Sequence, residues 1–249
     1  HERSLRIREK ALGPDHPDVA VAINNLAALL EKKGKYDEAL PLYEQSARIY
    51  AKAFGPDHPD VATVLSNLAR MLETQKKYNK ALLSYERALE IREKAFGPDH
   101  LYVATSLNDI AVLLNAQGKN DEAMPRFKRS LEIREKAFGP ESPDVAASLD
   151  NLADVVRAQG KYDEAIPLYK RALKLREKSV GSDHSEVDAR SLKNVAWSLM
   201  RQGKCDEALK DIKRAVDIYE SSERRLGSKH PLAKDARMIH RLITSSCAK

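Results

Sequence analysis

Residues able to do chemistry recur in this chain at regular intervals. Five histidines, His16, His58, His100, His184 and His230, stand 42, 42, 84 and 46 residues apart. Imidazoles that share a metal are brought together by short spacing, such as i,i+4 on a helix. These five are spaced instead as loop residues at helix starts, and no metal is expected. Cys205 and Cys247 form neither a CxxC pair nor a metal-spaced cluster. Two thiols so placed point to a reducing, cytoplasmic setting. No Ser/His/Asp or Cys/His arrangement stands outside the periodic positions. The glycines occur singly rather than in a phosphate-cradling loop. Neither an enzyme nor a bound cofactor is expected.

Recognition is the chemistry that remains. One polar column reads Asn24, Ser66, Asn108, Asp150, Lys193, and its neighbour reads Asn25, Asn67, Asp109, Asn151, Asn194. Asparagine is a poor helix former, so amides at mid-helix call for a reason. An amide carries both donors and an acceptor. A ladder of them would grip the backbone of an extended peptide whatever its side chains, or would tie neighbouring helices together. A second column reads Arg8, Tyr50, Arg92, Arg134, Arg176, Tyr219. Arginine makes bidentate contacts to carboxylates, which would suit an acidic ligand; the alternative is ordinary i,i+4 pairing on a solvated face. A third column holds Arg70, Val112, Asp154 and Trp197. Trp197, the only tryptophan, is either an anchor for a ligand or a residue packed against the last helix.

The elements that carry these columns are set by one loop. Gly13-Pro14-Asp15-His16-Pro17-Asp18-Val19-Ala20 returns from Gly55, Gly97, Gly139 and Gly181 at intervals of 42, and in decayed form from Gly227. A fixed period of this length is the mark of a solenoid. Val19, Ile23, Leu26, Ala27 and Leu30 follow the helical period, and Pro17 suits a first helical position. Gly34 would end that helix, and Asp37-Glu38 would open a second with acids at its positive end. The pattern predicts a second-helix remnant over 1–12, full helix pairs over 17–54, 59–96, 101–138, 143–180 and 185–226, and a capping helix over 230–246. Starting without Met and in mid-repeat, the chain is expected to be part of something larger. Of 249 residues, 32% are charged, against about 25% in an ordinary domain. The excess fits solvated helix faces. The net charge of +6 is interleaved with acids and argues against nucleic acid. No apolar run approaches the ~18 residues of a membrane span.

Particular residues sharpen this outline. Asn24-Asn25-Leu26-Ala27, the GKYDEA stretch from Gly34 to Ala39, the ALEIREK stretch from Ala88 to Lys94 and the GPDHPDVA loop together resemble the tetratricopeptide repeat, in the form found in kinesin light chains. The resemblance covers essentially the whole chain. It implies an all-α, right-handed superhelix whose first helices line a concave groove that holds a peptide. Asn25, Asn67, Asn151 and Asn194 match the family's backbone-holding Asn, and Asp109 departs from it. Arg92, Arg134 and Arg176 match the Arg that pairs with acidic cargo side chains. Arg157 matches a further cargo-contacting Arg, whose place is taken by Glu31 and Glu73 in earlier repeats.

The reading is a non-enzymatic interaction scaffold that holds a protein or peptide ligand, acidic in character. Its candidate contacts are Asn24, Asn25, Ser66, Asn67, Arg70, Arg92, Asn108, Arg134, Asn151, Arg157, Arg176 and Asn194. Two alternatives stay open: a structural or sensor arm of a larger protein, for example beside a nucleotide-switch domain, and self-association through the truncated first repeat.

Overall fold

The structure, a computed structural model, describes residues 2–180, 186–226 and 231–247. The decayed loops from Gly181 and Gly227, with His184 and His230, lie outside the described residues. The described residues form helices joined by short turns and loops, with no strand among them. The helices are α1 (Glu2–Leu12), α2 (Pro17–Lys32), α3 (Tyr36–Phe54), α4 (Pro59–Thr74), α5 (Tyr78–Phe96), α6 (Leu101–Ala116), α7 (Asn120–Phe138), α8 (Ala146–Ala158), α9 (Tyr162–Val180), α10 (Glu186–Arg201), α11 (Cys205–Leu226) and α12 (Pro231–Cys247). A 3-10 turn over Pro143–Val145 leads into α8. The chain forms two compact units, His1–Lys119 and Asn120–Lys249, and the boundary falls between the two helices of the third predicted repeat.

In the first unit α2 packs on α3 and α4 on α5, and each second helix also packs on the first helix that follows it. The second unit repeats the scheme with α8 on α9 and α10 on α11, closed by α12 against α11 and α10. Small and large residues alternate in this core. Ala27, Ala69, Ala111, Ala153 and Ala196 are fully buried on the first helices, and Tyr43, Tyr85, Phe127 and Tyr169 are buried on the second. An alanine permits close helix approach, and the aromatic ring of a partner fills the space left beside it.

The loop histidines among the described residues are helix caps. The Asp18, Asp60 and Tyr102 backbone N–H groups donate to Nδ1 of His16, His58 and His100 at 3.1, 3.3 and 3.1 Å. Ser142 does the same with its hydroxyl, accepting from Asp144 N–H at 3.3 Å. Each imidazole thus satisfies one of the donors a helix start leaves open. The loop acids have a task as well. Asp15 pairs with Lys52, Asp57 with Lys94 at 3.4 Å, and Glu141 with Lys178 at 2.6 Å. Each ties a loop to the end of the second helix of its own repeat.

One expectation is corrected. Cys205 and Cys247 are not separate thiols but a disulfide, with 5.6 Å between their Cα atoms. Cys205 opens α11 and Cys247 closes α12, so packing of the last helix brings together residues 42 apart in sequence. The argument from unpaired thiols to a reducing compartment loses its premise. The second helix of the fifth repeat, α11, runs to 22 residues against 19 in α3, α5, α7 and α9.

Candidate functional site: the polar face of the first helices

In the first unit the polar columns fall on one face of α2 and α4. Asn67 Nδ2 donates to Asn24 Oδ1 at 3.2 Å across the two helices. A turn further on, Arg70 holds Glu31 with both ends of its guanidinium, at 2.7 and 3.3 Å. Tyr43, rising from α3, donates to the same carboxylate at 2.8 Å. In the next repeat Tyr85 reaches Glu73 at 3.4 Å. Burial, and then the bond to Glu31, push the Tyr43 phenol well above its ordinary 10.0. Burial followed by the charges of Asp109 and Glu73 does the same at Tyr85. Burial also raises the Glu73 carboxyl, against the Tyr85 bond and the Arg70 charge.

The second unit has its own version on α8 and α10. Asn194 Nδ2 donates to Asp154 Oδ1 at 3.0 Å and to the Tyr169 hydroxyl at 3.3 Å. Tyr169 itself donates to Asp154 and accepts from Arg157 Nε at 3.2 Å. Here too burial and then a carboxylate, Asp154, raise the phenol. The pattern common to both units is a second-helix tyrosine that fixes a charged side chain on the first-helix face.

The candidate residues take different places. Asn25 is exposed and Arg70 largely so, while Asn24, Ser66, Asn67, Asn108, Asn151, Arg157 and Asn194 are half-buried. Ser66 donates back to the Ala62 carbonyl of its own helix at 3.0 Å. Trp197 is half-buried on α10. The second-helix arginines behave differently. Arg92 is 9% exposed and donates to Ser106 Oγ on α6 at 2.5 Å. Arg176 donates to Asp188, Asp150 and Ser191 at 2.5, 2.7 and 2.9 Å. Asp150 is fully buried, and burial raises its carboxyl while Arg176 and then Ser191 oppose the rise. Arg8 also turns forward, to the Asp18 carbonyl at 3.0 Å. In this column an arginine joins a second helix to the first helix after it. Tyr50 and Tyr219, buried at the same register, give the sequence sign of that inward direction. Arg134 is half-buried.

Among the described residues no group of three or more His, Cys, Asp or Glu side chains could hold a metal ion. No described helix is long and apolar enough to cross a membrane.

The tetratricopeptide-repeat profile matches residues 1–50, 18–94, 84–136, 102–178 and 144–221. The chain belongs to the tetratricopeptide-repeat family. Its solved neighbours include kinesin-light-chain-like proteins. One is a protein of Podosopora anserina, assigned as a kinesin light chain, with nearly identical tetratricopeptide-like repeats. It is 25% identical, with a TM-score of 0.71 over 84% of this chain and 99% of that one. BtubC (BKLC) of P. vanneervenii is 22% identical, with a TM-score of 0.77 over 92% and 89%. YrrB, described as a tetratricopeptide-repeat protein with an unusual peptide-binding site, is 16% identical, with a TM-score of 0.58 over 94% and 97%. No curated protein sequence matches the chain. As a tetratricopeptide-repeat scaffold, it has an architecture that generally mediates protein interactions.

Proposed function

We propose that the chain is a non-enzymatic module that holds an extended peptide on the polar face of its first helices. One observation carries this reading. On α2 and α4 the amides and charges are already locked in place, Asn24 to Asn67 and Glu31 to Arg70, by bonds made at 3.2 and 2.7 Å. Groups fixed before binding lose little freedom on binding. In the first unit the amides of Asn25, Asn67 and Asn108 would take backbone groups and Arg70 would read acidic side chains; in the second unit, taken by itself, Asn151, Asn194 and Arg157 would do the same. Arg92, Arg134 and Arg176 would act from behind, by holding successive helices in register. The peptide-binding site of YrrB supports the reading at the level of the fold.

Titration calorimetry with a library-selected peptide tests it. Replacing Asn25 and Asn67 together by alanine should weaken binding by about tenfold or more. Unchanged affinity would sink the proposal. A second reading, self-association, has support from α1, where Ile7 and Leu12 are 59% and 45% exposed. Light scattering over a concentration series, with Ile7→Glu as control, separates it from the first.

A further inference from the structure

The turn between α4 and α5 departs from its counterparts in a single chemical direction. Elsewhere this turn reads Gly34-Lys35-Tyr36-Asp37-Glu38, Gly118-Lys119-Asn120-Asp121-Glu122, Gly160-Lys161-Tyr162-Asp163-Glu164 and Gly203-Lys204-Cys205-Asp206-Glu207. In the second repeat it reads Lys76-Lys77-Tyr78-Asn79-Lys80. One cation and two acids have become three cations and no acid.

Each change works against local stability. Lys76 takes a φ of 58°, the only positive φ outside glycine among the described residues, in a region that disfavours side chains. The helix start loses the acids that suit its positive end; α5 has none in its first turn. Lys35 and Glu38 make an i,i+3 pair at 2.9 Å in the first repeat, whereas Lys77 and Lys80 at the same places repel. Local rules broken together without structural gain mark a place where something other than folding is served.

The fourth observation points to the ligand. Gln159 Nε2 donates to Asp121 Oδ1, and Gln202 Nε2 to Asp163 Oδ1, both at 2.7 Å. In the first unit the corresponding glutamine is Gln117, and the residue at the acceptor's place is Asn79. Gln117 Nε2 is buried there with no hydrogen-bond partner. A buried donor without an acceptor is costly. It lines a hollow of about 400 Å³ together with Lys76, Lys77, Tyr78, Asn79 and Lys80. A second hollow of about 430 Å³, which shares Lys76 and Tyr78, runs on to Arg70 and Glu73.

We propose that this hollow docks an acidic segment of a partner protein. An Asp or Glu side chain from the partner supplies the carboxylate that residue 79 no longer provides. The sister turns are the template: one carboxylate oxygen accepts from the glutamine amide, and the three lysines surround the charge. Carboxylate rather than phosphate is the favoured chemistry, because a carboxylate is what the corresponding amides of Gln159 and Gln202 bind. The surface is the turn end of the repeat, and its second hollow reaches the edge of the first-helix face at Arg70.

The test is fluorescence anisotropy with a labelled peptide of alternating Glu and Gly. The variant K76G/N79D/K80E restores the sister turn and should fold at least as well as the parent, so lost binding cannot be lost structure. We expect the parent to bind, the restored turn to bind about tenfold more weakly, and Gln117→Ala to bind several-fold more weakly. The restored turn should bind the library-selected peptide of the first-helix face as the parent does, which separates this site from the peptide face proposed above. Equal binding by the parent and the restored turn overturns the proposal. So does equal binding of a Gln and Gly control peptide. Tighter binding of a single-stranded oligonucleotide or of anionic vesicles, lost in the restored turn, overturns the assignment to an acidic protein segment.

Discussion

A histidine beside a helix start holds a capping hydrogen bond, and the His58 ring also packs on Phe54 with 4.6 Å between ring centres. His58 accepts from Asp60 N–H at 3.3 Å, so His58→Ala should destabilise the protein by about 1 kcal/mol in urea unfolding. His58→Ser should restore the capping part of the loss, since Ser142 does this work in the fourth loop. Arg176 presents the opposite case. Its guanidinium offsets two carboxylates, one of them fully buried. Removing it strands Asp150, and Arg176→Ala should cost about 3–5 kcal/mol by the same measurement. The buried phenols set the alkaline limit. Tyr43, Tyr85 and Tyr169 all have folded pKa values raised above 10.0, first by burial and then by acids nearby. A raised value means that stability is fully present below pH 10 and is lost as pH rises above it. The loss is up to about 1.4 kcal/mol per pH unit for each phenol. The part of the tyrosinate absorbance that comes from these three phenols should therefore appear together with loss of helical circular dichroism, and Tyr169→Phe should flatten the decline.

At the scale of helices and turns, the turn at Lys76 is the outlier. Lys76→Gly should raise stability by about 1 kcal/mol, read as a higher thermal midpoint, because glycine takes the positive φ without strain. The helices themselves were legible in sequence because their signals repeat. Val19, Ile23, Leu26 and Ala27 and their counterparts follow one period, and every copy reinforces the same boundary. The candidate face was legible only as positions. Asn24 and Asn67 could be placed in columns, but their bond to each other depends on how α2 and α4 pack, and no spacing within one helix encodes that. Arg92 and Arg176 misdirect for a related reason. Arginine is ordinarily a surface residue, and only the buried tyrosines at the same register, Tyr50 and Tyr219, betray that the column faces inward. The cap at His58 escaped because histidine is not a standard capping residue; Ser142 at the same place was the available clue.

At the scale of the whole chain, stability is shared among neighbours rather than held by one centre, as in other repeat proteins. The disulfide is the one covalent exception. Closing a loop of 42 residues should contribute about 4 kcal/mol by the loop-entropy argument. Guanidinium unfolding of the second unit's helices should therefore shift to lower denaturant in Cys205→Ser/Cys247→Ser, with the first unit's little changed. Local spacing gave no sign of the bond, since its two cysteines are neighbours only after α12 has packed. The bond also makes α11 and α12 part of a covalent ring. A protease that cuts once anywhere between Cys205 and Cys247 opens the ring but releases no fragment. The nicked chain keeps its full mass, gaining only one water, and separates into two pieces when a thiol is added.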